Sequence, residues 1–181
     1  MMKIGITGGI GSGKSVVAQL LSIHGIPVYI ADDESKKLTN TSPTIREGLI
    51  HLFGTDIYTN EGLNKPLLAK AIFGNKDLLQ RVNQLIHPEV NKHFLAWSER
   101  QESNCCAIES AILFESGFNK IVNTSLLVYA PLEIRIQRAL QRDHSTEEAL
   151  RKRIESQISD EEKKLWADYT IINDDKQALL P

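Results

Sequence analysis

A parallel α/β sheet flanked by helices on both faces, with a helical lobe set into it, is the architecture that this sequence predicts. Three observations carry the expectation. Short apolar or β-branched runs alternate with stretches of helical periodicity, the pattern of parallel strands joined by crossover helices. The first of those runs breaks into Gly8, Gly9, Gly11 and Gly13 and then turns back into an apolar, helix-like segment. From Glu34 to about Gln101 the pattern becomes almost wholly helical.

Taken in order, Ile4, Ile6 and Thr7 supply a β-branched opening strand, and Ser15 to His24 places Val16, Val17, Leu20 and Leu21 on one side of a helix. His24-Gly25 closes that helix and Pro27 stops its continuation. Val28-Tyr29-Ile30 then gives a second short buried strand ending at Ala31-Asp32-Asp33, which completes a βαβ unit. Within the helical stretch, breaks fall at Ser42-Pro43, Gly54, Asn60-Glu61-Gly62, Gly74-Asn75 and His87-Pro88. Strand character returns at Cys105 to Ile108 and at Ser125 to Tyr129. Pro131 suits the first turn of a helix running through Ile134, Ile136 and Leu140 toward Arg142-Asp143. Ser145-Thr146-Glu147-Glu148 reads as a helix start with either hydroxyl able to cap, and Ser159-Asp160-Glu161-Glu162 repeats the signal. These two charged helices make a short lid over about 142–165, and Tyr169 to Ile172 forms the last strand. The expected organisation is one domain, with a core of residues 1–33 and 102–181 and a helical insert over about 34–101.

The totals exclude several classes. At 181 residues, 41% hydrophobic and 24% charged, the chain has the composition of a soluble globular protein with one well-buried core. A net charge of −2 and a pI near 6.2 give no global attraction for nucleic acid or an anionic membrane, so an anion must be met by a local site. No apolar run approaches the roughly 20 residues that cross a bilayer, and the glycine-broken N-terminus lacks a signal-peptide pattern, which points to the cytoplasm. Cys105 and Cys106 are adjacent and pair poorly as a disulfide, so both read as buried thiols in a reducing compartment. Oligomeric state stays open between a monomer and a small homo-oligomer.

Gly8-Gly9-Ile10-Gly11-Ser12-Gly13-Lys14-Ser15 fits G-x-x-x-x-G-K-[ST], the phosphate loop of nucleoside triphosphate enzymes, and it lies between a predicted strand and a predicted helix. The predicted fold is thus that of the P-loop NTPases. Residues without a Cβ let the backbone turn its N–H groups around phosphoryl oxygens, and the following helix adds the positive end of its dipole. Lys14 reaches the terminal phosphates and Ser15 ligates Mg²⁺. A dinucleotide fingerprint fails, because a frame starting at Gly9 places Lys14 where its last glycine belongs. A regulatory GTPase would show N-K-x-D, whereas Asn75-Lys76-Asp77 brings its aspartate one position early. A motor ATPase would end a strand in an Asp-Glu pair, and the strand through Leu126 ends in Tyr129-Ala130-Pro131. A small-molecule kinase is the best class; another nucleoside or nucleotide kinase of the same fold is the nearest rival to any one assignment within it, and a nucleotide-binding switch or assembly ATPase the rival from another class.

At the level of motifs, the chain resembles the dephospho-coenzyme A kinase family. The resemblance runs from Ile4 to about Asn173 and rests on Ile6 to Ser15, Ala31-Asp32, Gly62-Leu63-Asn64-Lys65 with Leu68 and Phe73, Ile86-His87-Pro88, Ile112-Leu113-Phe114-Glu115 and Gln141-Arg142-Asp143. It implies phosphorylation of the ribose 3′-hydroxyl of dephospho-coenzyme A with ATP and Mg²⁺. Three departures stand out: Ile30-Ala31-Asp32 where D-A-D is usual, Lys65 where arginine is common, and Ala111 where a proline is usual. The family commonly continues into another helix beyond Leu180-Pro181, so the resemblance implies a chain cut short.

Site residues follow from position and resemblance together. Asp32, expected at the carboxyl end of the second strand beside the loop, can orient the acceptor hydroxyl and take its proton; the bland reading makes Asp32 or Asp33 a helix cap. Glu109 is a second acid for Mg²⁺ or a solvated strand end. Glu115 fixes a substrate-holding loop or makes a structural salt bridge. Arg138 and Arg142, four apart on one helix, suit a lid that neutralises the migrating phosphoryl charge, or else form a wet face, as the run Arg151-Lys152-Arg153 does. His87 contacts the acceptor or marks a helix boundary, and Asn173 lies where the family meets adenine. With Gly9, Ile10, Gly11, Ser12, Gly13, Lys14 and Ser15 for ATP, these complete the expected site.

Overall fold

The structure is a computed structural model, and it describes residues 1–143 and 146–176. In chain order, β1 (Met2–Thr7), α1 (Lys14–Ile23) and β2 (Val28–Ile30) lead into α2 (Ala31–Thr41), α3 (Pro43–Phe53), β3 (Tyr58–Thr59), β4 (Gly62–Leu63), α4 (Lys65–Ile72) and α5 (Lys76–Glu99). Then follow β5 (Cys105–Glu109), β6 (Thr124–Tyr129), α6 (Leu132–Arg142), α7 (Glu147–Glu155), α8 (Asp160–Trp166) and β7 (Tyr169–Ile172). Two compact units result: Met1–Ile30 together with the chain from Gln101 onward, and Ala31–Arg100.

The first unit is built on five parallel strands in the order β2-β5-β1-β6-β7. Parallel pairing brings all carboxyl ends to one edge, so the glycine loop leaves the central strand beside the end of β5, where Ile6 is in register with Glu109. The core joins Ile6, Ala107 and Val128 of the strands to Val17 and Ala18 of α1, with Leu21 packed against them. Val16, expected on the buried side, is 47% exposed. The helix turns 100° per residue, and a stripe centred on Val17 and Leu21 leaves a neighbour at position 16 at its margin. Of the two thiols expected to be buried, Cys106 is enclosed and Cys105 is only partly so, since neighbouring side chains of a strand face opposite ways.

The second unit has its own core of Ile45, Leu49, Ile57 and Val82, with Leu38, Tyr58, Leu63, Leu67 and Leu85 packed around it. Ser42, Asn64 and Asn75 cap α3, α4 and α5 by accepting the N–H of Ile45, Leu67 and Leu78. Three sequence expectations need correction here. The lobe's first helix begins at Ala31, not near Glu34, so Asp32 stands in the first turn of α2 and not on a strand. Asn60-Glu61-Gly62 turns a two-stranded hairpin, β3 with β4, which is tied to α2 where Asn40 Oδ1 accepts the Leu63 N–H at 2.8 Å. No break occurs at His87-Pro88: Pro88 lies inside α5. A proline there removes the N–H that would reach the Gln84 carbonyl, a local cost that the helix carries across its 24 residues.

Candidate active site

The loop between β1 and α1 begins from a fully buried Thr7, and Ser12 within it is also fully buried. Gly13 is the N-cap of α1 with φ 94 and ψ 18, a left-handed conformation that glycine adopts without strain. A Cβ on Gly13 would also collide with Nδ2 of Asn173. That close approach accompanies a hydrogen bond, since the Asn173 amide donates to the Ser12 carbonyl at 2.8 Å and ties the loop to the end of β7. Arg138 then donates from Nη2 to Asn173 Oδ1 at 3.3 Å and also pairs with Asp175. Two residues expected from the sequence at the nucleotide, Arg138 and Asn173, are thus brought to the loop, while Asp175 was not anticipated.

The loop fits an anion. Among the described residues the N–H groups of Gly11 and Gly13 have no hydrogen-bond acceptor, and Ser12 Oγ is buried without a partner. The first turn of α1 adds donors that a helix leaves unsatisfied. Lys14 Nζ stands 3.8 Å from Glu109 Oε1, with both side chains largely buried. Glu109 is therefore an enclosed acid at the sheet edge and not a solvated strand end. Ser15 follows on the exposed start of α1.

The remaining candidates are placed as follows. Asp32 is exposed and makes no hydrogen bond or ion pair among the described residues, whereas Asp33 is held by Lys36 at 2.8 Å and Glu34 by Lys37 at 2.6 Å. His87, half-buried in α5 of the second unit, has its imidazole pushed below the ordinary range by loss of hydration. Arg142 ends α6 exposed and grips its neighbour Asp143 through two hydrogen bonds of 2.8 and 3.0 Å. Glu115 accepts the Ile158 N–H at 3.0 Å and pairs at 3.3 Å with Lys163, which is fully buried and also donates to the Ala111 carbonyl. On α7, Arg151 and Lys152 pair with Glu147 and Glu148, each four residues back, and Thr146 is the cap. Ser145, the other proposed cap, lies outside the described residues.

Sequence reading missed Arg135 and Asp160, a buried pair against the loop. Arg135 precedes Arg138 by three positions and shares its helix face, so the spacing that singled out Arg138 and Arg142 pointed to it as well. In sequence, Asp160 is one of several acids in a helix's first turn, with nothing to mark its partner.

A glycine loop feeding a helix N-terminus from the central strand of a parallel sheet, with a lysine and an acid at its mouth, defines a P-loop phosphotransferase fold and site. Comparison with known proteins narrows the class. The family model described as dephospho-CoA kinase matches residues 2–178. A dephospho-CoA kinase of Bacteroides fragilis is 50% identical over 181 residues, covering 99% of this chain and 88% of that protein. One of Porphyromonas gingivalis is 50% identical, covering 100% of this chain and 90% of the relative. The solved structure of a dephospho-CoA kinase from Campylobacter jejuni superposes with a TM-score of 0.69 at 25% identity, over 95% of this chain and 88% of that one. The chain belongs to the dephospho-CoA kinase family.

Proposed function

We propose that the protein transfers the terminal phosphoryl group of ATP to the ribose 3′-hydroxyl of dephospho-CoA, giving CoA. The observation that carries this reading is the phosphate cradle itself, with open N–H groups at Gly11 and Gly13 and Lys14 at its mouth, in a chain of this family. Gly9, Ile10, Gly11, Ser12 and Gly13 wrap the phosphates, Lys14 offsets their charge, and Arg138 with Asn173 lies on the nucleotide's far side. Arg142 is released from Asp143 to meet the migrating charge. Such groups act chiefly by positioning and by stabilising charge that develops in transfer.

Asp32 is the general base that aligns the acceptor hydroxyl. Its exposure, with no hydrogen bond or ion pair among the described residues, leaves the carboxylate available, while Asp33 is engaged by Lys36. His87 and Glu115 serve the acceptor, His87 as a neutral imidazole and Glu115 by fixing the segment through Ile158. Among the described residues no group of three or more His, Cys, Asp or Glu side chains could hold a metal alone. Ser15 and Glu109 suit a Mg²⁺ that takes its other ligands from phosphate and water, and the ion would supply neutralisation of phosphate charge. No helix of the described residues is long and apolar enough to cross a membrane, and we place the reaction in the cytoplasm.

An acceptor panel tests the proposal. ATP consumption measured with dephospho-CoA, adenylate, cytidylate and shikimate should rise with dephospho-CoA alone. Preference for any other acceptor would reassign the kinase, and consumption indifferent to all four would favour an ATPase.

A further inference from the structure

The proposed mechanism leaves one buried ion pair unused. Arg135, in the first turn of α6, and Asp160, the first residue of α8, are each 5% exposed, and Arg135 Nη1 meets Asp160 Oδ2 at 2.8 Å. Both partners also hold the glycine loop. Asp160 Oδ2 accepts the Gly9 N–H at 3.1 Å, and Arg135 donates from Nε to the Ile10 carbonyl at 3.0 Å. Gly9 permits this approach, because a Cβ there would collide with the guanidinium.

Stability is a poor reason for such a pair. Burying two charges costs hydration that their attraction often does not repay. Here Asp160 Oδ1 is in addition buried without a hydrogen-bond partner among the described residues, a further cost. What the pair does control is the orientation of two peptide groups of the loop, the one joining Gly8 to Gly9 and the one joining Ile10 to Gly11. A loop that binds phosphate through N–H groups must keep its carbonyl dipoles turned away, since an inward carbonyl repels the anion. Arg135 fixes the Ile10 carbonyl on the α6 side, and Asp160 fixes the Gly9 N–H on the α8 side. The N–H of Gly11, which belongs to the same peptide group as the Ile10 carbonyl, is thereby aimed the opposite way, and it is one of the open donors of the cradle.

We propose that Arg135 and Asp160 are positioning residues that set the phosphate loop in its ATP-binding conformation before the nucleotide arrives. The inference rests on the loop's being the ATP site. Neither residue touches the reacting atoms, and they act through the Gly8–Gly9 and Ile10–Gly11 peptide groups.

The test measures ATP affinity and thermal stability side by side, with KM for dephospho-CoA as the control. In Arg135→Lys the charge remains but the fork that reaches Asp160 and Ile10 together is lost. ATP affinity should fall by about tenfold to a hundredfold, the effect of hydrogen bonds to a charged group, while the acceptor KM stays near that of the parent. In Arg135→Met/Asp160→Leu an apolar pair replaces the ions, a change that commonly preserves or raises stability. Melting temperature should then match or exceed the parent's, yet ATP affinity should remain low. Recovery of affinity together with stability in the double variant would overturn the proposal, as would parental ATP affinity in Arg135→Lys. A parent protein that fails to bind ATP would instead overturn the reading of the loop.

Discussion

Asp32 and Asp33 are adjacent acids with different surroundings, and the difference predicts different effects on transfer. Asp33 is committed to Lys36 within α2, and its charge also helps to raise the basicity of that lysine. Asp32 also adds to the field at Lys36 but makes no hydrogen bond or ion pair among the described residues. Replacing Asp32 by Asn should leave ATP binding and melting temperature near parental while turnover falls by about 10² to 10⁴, the loss expected for a positioned base; Asp33→Asn should keep turnover within a few-fold. Steady-state kinetics on both variants checks this, and the reverse pattern would move the base by one residue. Lys14→Ala should weaken ATP binding and slow turnover together, because the lysine offsets charge in bound nucleotide and more of it in transfer; unchanged kinetics would remove the loop from the site. At this scale the sequence was informative where chemistry and backbone coincide. The loop motif marks its own residues; helix spacing singled out Arg138 and the family resemblance Asn173, and the structure brings both against the loop. Arg135 shared the helix face of Arg138, but its pairing with Asp160, 25 residues away, has no periodic signature.

Helices α7 and α8 look alike in sequence, both short, charged and capped by a hydroxyl, and both were expected to form one lid. Their anchoring differs. Helix α8 has a capping box at Ser159 and Glu162, buries Asp160 and Lys163, and receives the Tyr129 hydroxyl at Glu161. Trp166 adds an edge contact with Phe114. Helix α7 buries only Leu150, against Ile136 and Ala139 of α6, and its charged side chains pair across the exposed surface. Exposed pairs of this kind contribute little. Local opening should therefore fall to α7, while α8 stays with the sheet. Hydrogen exchange over 147–155 should slow when ATP and dephospho-CoA bind, and α8 should be slow throughout. A response in α8 as large as in α7 would restore the single lid. What decided between them, a buried lysine reaching the Ala111 carbonyl, depends on a partner 52 residues away and cannot be read from a helix's own composition. The same holds for α5, where neighbours, not local propensity, carry a helix through Pro88.

Across the whole molecule, two titrating groups make stability fall with acid in separate windows. His87 has a lowered pKa because burial disfavours its charged form. The unfolded chain takes up a proton near pH 6.5 that the folded imidazole resists, so stability is kept above about that pH and is lost as pH falls toward the folded value. Asp168 is lowered because the Ser125 N–H and hydroxyl both donate to it, each at 2.8 Å. Its contribution persists above the ordinary carboxylate range and is lost only as pH falls through the lower folded value. Denaturant midpoints taken from about pH 8 to pH 5 should therefore decline on the acid side, and His87→Gln should flatten that decline; an unchanged slope would contradict it. Alternation of strands and helices made the sheet legible, since each parallel strand is a separate apolar run. The β3–β4 hairpin was not, because two residues per strand are too few for a period to show. The central claim is that ATP gives its terminal phosphoryl group to dephospho-CoA on this protein. Mass measurement of the acceptor after incubation with ATP and Mg²⁺ tests it most directly: the account predicts one added phosphate on the ribose 3′-hydroxyl for each ADP formed, and ADP with free phosphate beside an unchanged acceptor would contradict it.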